Sequence, residues 1–255
     1  VTYYYGVIMC TTAYLLIEGF IVILISYAMT LSTPLATLPP RRPTSSLLGG
    51  TTVASVCGLN FINICVMSLA LVLMEQQPEY VTFPTDSVVD TSQWWLLGDA
   101  WETTIMFSCF ANPFLTAAIV FSFGDVFRKP VWHNWLLCVS YVVLWATMTY
   151  LLLFPLPGGE PNVLHAIFHI ASIQFNSELT QSPVWRAYQD DPDNPRPPSP
   201  GMPFRFRLLV WLLVQVGIVG ACLWEKIVVQ GPVRSACLRR FDASKRQPRT
   251  VIPRL

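Results

Sequence analysis

Residues 47–74 read LLGGTTVASVCGLNFINICVMSLALVLM, with no Asp, Glu, Lys or Arg, and run directly into Glu75-Gln76-Gln77-Pro78-Glu79-Tyr80. A helix rises about 1.5 Å per residue and the hydrocarbon core of a bilayer is about 30 Å thick, so about 20 apolar residues suffice to cross it. This stretch exceeds that length and predicts a transmembrane helix. Four further stretches meet the same test, at about 5–31, 103–123, 135–154 and 208–229, of which the first is interrupted only by Glu18. The fold class expected is all-α, a polytopic membrane bundle of five transmembrane helices.

Composition agrees. The 255 residues are 53% hydrophobic and 12% charged, with a mean hydropathy of +0.48, whereas soluble domains carry about 25% charge. A soluble enzyme, a nucleic-acid binder and a disordered regulator are therefore excluded, and membrane lipid is the expected surrounding. The first residue is Val1 and no basic n-region precedes an apolar stretch, so no signal peptide is expected and the sequence reads as part of something longer.

The formal net charge of +1 conceals segregation. Arg41, Arg42, Arg128, Lys129, Lys226, Arg234, Arg239, Arg240, Lys245, Arg246, Arg249 and Arg254 fall on one side of the five spans, 12 of 16 basic residues. The other side keeps Arg186, Arg196, Arg205 and Arg207, with Glu75, Glu79, Asp86, Asp90 and Asp99 in the loop at 75–101. The positive-inside rule puts the two short loops and the tail at 231–255 in the cytosol. Loops 75–101 and 155–207 then face the lumen or exterior, and residues 1–230 form the membrane domain. Tyr3 to Tyr5, Trp94, Trp95 and Trp101 mark one interface and Trp132 and Trp135 the other. An amphipathic stretch from Val163 to Phe175 is too short to cross and is expected to lie on the lumenal surface.

Glu18 is the sharpest candidate for a functional role. A carboxylate near the middle of a span costs about 2.5–3.5 kcal/mol on insertion scales and normally faces a cavity or a neighbour inside the bundle. It reads as a cation, proton or substrate site, with a protonated packing glutamate as the alternative. Asn60 and Asn63, three residues apart on one helix face, either line a polar pathway with Glu18 or join helices. Asn112-Pro113 interrupts helical hydrogen bonding and is expected to kink the third span. His165 and His169 have the i, i+4 spacing of a zinc site but lack a third ligand nearby, so interfacial histidines compete with that reading and no metal site is expected. Glu225 is expected to bond to another span while Lys226 reaches for the headgroups. Arg128, Lys129, Arg239 and Arg240 are candidates for lipid contact or for setting topology, and Cys237 is either palmitoylated or an ordinary juxtamembrane cysteine. No GxxxxGK[ST], GxGxxG after a strand, GxSxG or HExxH occurs, so no catalytic residue is assigned.

Four loop segments, in order, carry a resemblance. They are Pro39-Pro40-Arg41-Arg42-Pro43, Glu75-Gln76-Gln77-Pro78-Glu79-Tyr80, Gly124-Asp125-Val126-Phe127-Arg128-Lys129-Pro130 and Ala236-Cys237-Leu238-Arg239-Arg240. Together they resemble the C-terminal membrane region of the fifth-subfamily, B-branch P-type ATPases, the polyamine-transporting group. The resemblance implies that the five spans are helices six to ten of a ten-helix core. It also implies that Glu18, in Ile17-Glu18-Gly19-Phe20, takes the place of an acidic residue in the sixth helix and helps to bind a cationic substrate such as a polyamine. ATP and Mg would serve the complete pump, together with an N-terminal half bearing the cytosolic catalytic domains. An endosomal, lysosomal or vacuolar membrane would house it. The D-K-T-G-T, T-G-E, G-D-G-x-N-D and P-P-A-L-P motifs of that family are absent from these residues, and the loop at 155–207 is longer than usual. The competing readings are a non-enzymatic membrane protein, either a small channel or a structural subunit, and a catalytically dead relative of the pump.

Overall fold

The computed structural model describes residues 2–5, 7–35, 49–80, 100–123, 128–154, 156, 163–168 and 201–231, with the side chains at 2, 3, 165 and 166 left out of the description. Five of its helices are long and apolar enough to cross a membrane. They are α1 (Thr11–Thr30), α2 (Gly50–Glu75), α3 (Trp101–Phe121), α4 (Trp135–Leu153) and α5 (Phe204–Val229). Short helical segments at Thr2–Tyr5 and Val163–Phe168 and a 3₁₀ turn at Val131–His133 complete the described architecture. The fold is an all-α bundle of candidate transmembrane helices.

Where the helices begin follows local chemistry rather than hydropathy alone. Cys10 is extended, at φ −65° and ψ 155°, and its Sγ caps α1 by accepting the Ala13 N–H while its thiol donates to the Phe168 carbonyl. The helix therefore starts at Thr11, later than the apolar run. α3 and α5 start earlier than their apolar runs and take Glu102, Arg205 and Arg207 into the helices. α3 continues without interruption through Pro113.

α3 is the hub. It packs on α2, α4 and α5 as well as on α1, and about 67% of its most apolar window is buried. Two different stripes of its surface do this. Phe107, Ala111, Leu115 and Ala118 recur at the spacing of one helix face and meet Ile17, Ile21, Ile25 and Ala28 of α1 with Leu137, Leu144 and Met148 of α4. Trp101, Ile105 and Cys109 lie on another face and join Ala70, Leu71 and Met74 of α2 with Phe206, Val210 and Val214 of α5. With two of its faces covered by neighbouring helices, α3 is the interior helix of the bundle.

The ends of the helices are joined in pairs. At one end Tyr5 Oη donates to Glu75 at 2.6 Å and Tyr80 Oη donates to Glu102 at 2.5 Å. At the other, the Lys129 N–H donates to the Thr33 carbonyl at 3.0 Å and Pro34 pairs with Arg128 in an isolated antiparallel bridge. Asn134 completes this join. Its Oδ1 accepts the Leu137 N–H at 3.2 Å, capping α4, and its Nδ2 donates to the Ala28 carbonyl near the end of α1 at 2.6 Å. Asn134→Ala removes both bonds from a buried position. We expect a loss of about 1–2 kcal/mol, read as a lower thermal unfolding midpoint in detergent.

Candidate functional site

Glu18 lies in a π-helical stretch, Leu16–Leu24, within α1. Such widened turns are rare and recur at functional sites. Ile17, Ile21, Ile25 and Ala28 form the buried stripe of this helix, and Glu18, Gly19, Phe20, Val22 and Ile23 fall on the exposed face. The carboxylate makes no hydrogen bond or ion pair among the described residues, and a Cβ added at the adjacent Gly19 would meet no atom within 4 Å. It thus stands near the middle of a candidate span, on a face with open space beside it.

The asparagines are placed elsewhere. α1 packs on α3 and α4, whereas α2 packs on α3 and α5, so the structure does not bring Glu18 together with Asn60 or Asn63. Asn60 is exposed and its Nδ2 donates to the Val56 carbonyl one turn earlier at 2.9 Å. Asn63 lines a small crevice between α2, α3 and α5 with Cys109, Asn112, Pro113, Thr116 and Gly217. The crevice measures about 10 Å³, the lower limit for one water. Asn112 Nδ2 donates to the Ser108 carbonyl at 2.9 Å and Thr116 Oγ1 donates to the Asn112 carbonyl at 2.7 Å. Pro113 has no N–H to offer the Cys109 carbonyl, which therefore lacks its usual helical donor. Two groups of polar residues therefore exist at membrane depth, one exposed and acidic at Glu18 and one small and neutral at Asn63 and Asn112.

At the basic end, Glu225 is buried and held from two sides, by Ser55 Oγ of α2 donating to Oε2 at 2.6 Å and Gln230 Nε2 donating to Oε1 at 3.1 Å. This is the bond to another span that the sequence anticipated. It falls in a second π-helical stretch, Trp224–Val229, where Trp224 Nε1 also donates to the Ala54 carbonyl at 3.0 Å. The Lys226 ammonium lies over the Phe123 ring, 4.6 Å from its centroid. Arg128 and Lys129 are exposed. Arg239, Arg240, Cys237 and His169 lie outside the described residues, as does the His165 side chain. Among the described residues no group of three His, Cys, Asp or Glu is arranged to hold a metal ion.

The opposite end holds charged residues that sequence reasoning did not single out. Glu102 and Arg207 are each only 1% exposed. Arg207 Nη1 donates to the carbonyls of Leu152 and Leu153 at the end of α4, and the Trp101 and Phe206 rings stack beside them with centroids 5.8 Å apart. Burial, followed by the hydrogen bond to Glu75, pushes the Tyr5 phenol well above its ordinary range. The available signal was a charged residue just outside an apolar run with an aromatic neighbour, Trp101-Glu102 and Phe206-Arg207.

No family profile matches the chain. Among curated proteins it is similar to Polyamine-transporting ATPase 13A3 of Homo sapiens, 26% identical over 163 residues that make up 58% of this chain and 13% of the relative. The proteins of the same name from Macaca fascicularis and Mus musculus are 25% identical over 163 residues and 26% identical over 162, with the same coverage of both chains. The match thus spans 13% of the length of these relatives. The likeness is thus to part of polyamine-transporting ATPases, and the five apolar helices fit an integral, multi-pass membrane protein.

Proposed function

We propose that this chain is the C-terminal transmembrane part of an ATP-driven, polyamine-transporting P-type ATPase of the fifth subfamily, B branch, with α1 to α5 as helices six to ten. It supplies scaffold and part of the pathway for a cationic substrate. The observation that carries this reading is Glu18. It is a carboxylate at mid-span, on a widened helical stretch and on the exposed face of α1. Lipid is a poor neighbour for such a group, whereas a protein-lined cavity holding an amine is a good one, because attraction there is weakly screened. The similarity to polyamine-transporting ATPases supplies the substrate class.

The scaffold role belongs to α3 and its contacts, and the small crevice at Asn63 and Asn112 lies off the Glu18 face. ATP and Mg would be held by the cytosolic catalytic domains of the N-terminal half of the complete pump. The acidic loops at 75–101 and 155–207 would attract polycations over about a Debye length, 8 Å at physiological salt. An endosomal, lysosomal or vacuolar membrane is the proposed location.

Extending the reading frame upstream tests the assignment. The expected result is a D-K-T-G-T segment some hundreds of residues before Val1. A full-length transcript without it would leave a non-enzymatic membrane protein or a catalytically dead relative as the reading.

A further inference from the structure

We infer that the corner where α1 hands over to α4 is a binding site for the headgroup of an anionic phospholipid. It is independent of the transport reading. The corner presents two cations on a fixed backbone. Arg128 is bridged to Pro34, the Lys129 N–H is bonded to the Thr33 carbonyl at 3.0 Å, and both side chains are exposed. Neither makes an ion pair among the described residues. Asp125 is the one acidic residue in the sequence from Gly124 to Gly159, and the sequence from Gly19 to Met74 contains none, so the two segments that meet here carry more basic than acidic side chains.

The residues that follow complete the surface. The 3₁₀ turn Val131–His133 and the buried Asn134, bonded to both helices, fix the direction in which the chain enters α4. This leaves Trp132 66% and Trp135 70% exposed beside the basic pair. Indole rings with an apolar body and one N–H favour the headgroup level of a bilayer, and basic side chains at that level attract anionic lipid. A phosphate between Arg128 and Lys129, with its glycerol and upper acyl chains against the indoles, satisfies charge and apolar surface together. A soluble anion would use the two cations and make no contact with the indoles, whereas a lipid uses both, which is why the occupant is a lipid.

The purified chain in mixed micelles of phosphatidylcholine and phosphatidylserine, analysed by native mass spectrometry, tests this. We expect retained phosphatidylserine in the parent chain and roughly tenfold less in Arg128→Gln/Lys129→Gln. Trp132→Ala is expected to lower retention by a smaller factor, with helical circular dichroism unchanged in both variants. Arg205→Gln, which removes an exposed cation at the other end of the bundle, is expected to retain phosphatidylserine as the parent does. Equal loss in Arg205→Gln, or no loss in the double variant, would overturn the site. Displacement of the lipid by excess inorganic phosphate would also overturn it, identifying a soluble-anion site instead.

Discussion

Gly58→Ala is expected to lower the stability of the bundle by about 2–4 kcal/mol, the sum of overpacking and a lost indole hydrogen bond. A Cβ at position 58 would overlap the Trp224 ring at Nε1, Cε2 and Cδ1. The indole cannot yield cheaply, since Nε1 is bonded to the Ala54 carbonyl of the same helix one turn away. Its displacement also disturbs the π-helical stretch Trp224–Val229, where Glu225 is held by Ser55. Gly50→Ala is the matched control, because a Cβ there meets nothing within 4 Å. Thermal unfolding in detergent is expected to show a large downward shift for Gly58→Ala and none for Gly50→Ala. Equal midpoints would refute the close approach of α2 and α5 at this level.

Arg207→Met is the second large effect. The guanidinium is fully buried and donates to two carbonyls at the end of α4, where no helical N–H remains to satisfy them. Methionine preserves much of the volume and supplies no donor. Hydrogen bonds from a charged group contribute about 1.5–3 kcal/mol each in favourable geometry, and leaving buried acceptors bare adds to the cost. At contact distances of 3.3–3.4 Å we expect a combined loss of about 2–4 kcal/mol. Arg205, two residues earlier, is exposed, and Arg205→Met is expected to stay within about 0.5 kcal/mol of the parent. Similar losses in both variants would show that charge at this end of the bundle, rather than the fixed geometry of Arg207, is what matters.

The five helices were legible because hydrophobic length is a property of the chain alone, and residues 47–74 announce it without a charged residue. Helix ends were less legible. Hydropathy truncates a helix at its first charge, yet Glu102 and Arg207 are taken inside, where Tyr80 donates to Glu102 and the α4 carbonyls accept from Arg207 Nη1. Tertiary hydrogen bonds of that kind have no local signature. The prominence of Glu18 was likewise readable, since an acid in an apolar span is conspicuous. Its separation from Asn60 and Asn63 was not, because which helices neighbour one another depends on the packing of α3 and not on the order of the spans. Asn134 shows the same limit. Its capping role is local and follows from residue type, but the bond to Ala28 joins positions 106 residues apart.

Polyamine-stimulated ATP hydrolysis by the complete protein, compared between parent and Glu18→Gln, tests the proposed function most directly. A carboxylate in a weakly screened cavity contributes at least about 1.4 kcal/mol to holding an amine, a factor of ten in affinity. The account predicts that Glu18→Gln raises the half-stimulating polyamine concentration about tenfold or more, or lowers stimulated turnover to a similar degree, with the folded fraction unchanged. Unchanged apparent affinity and unchanged turnover would contradict it.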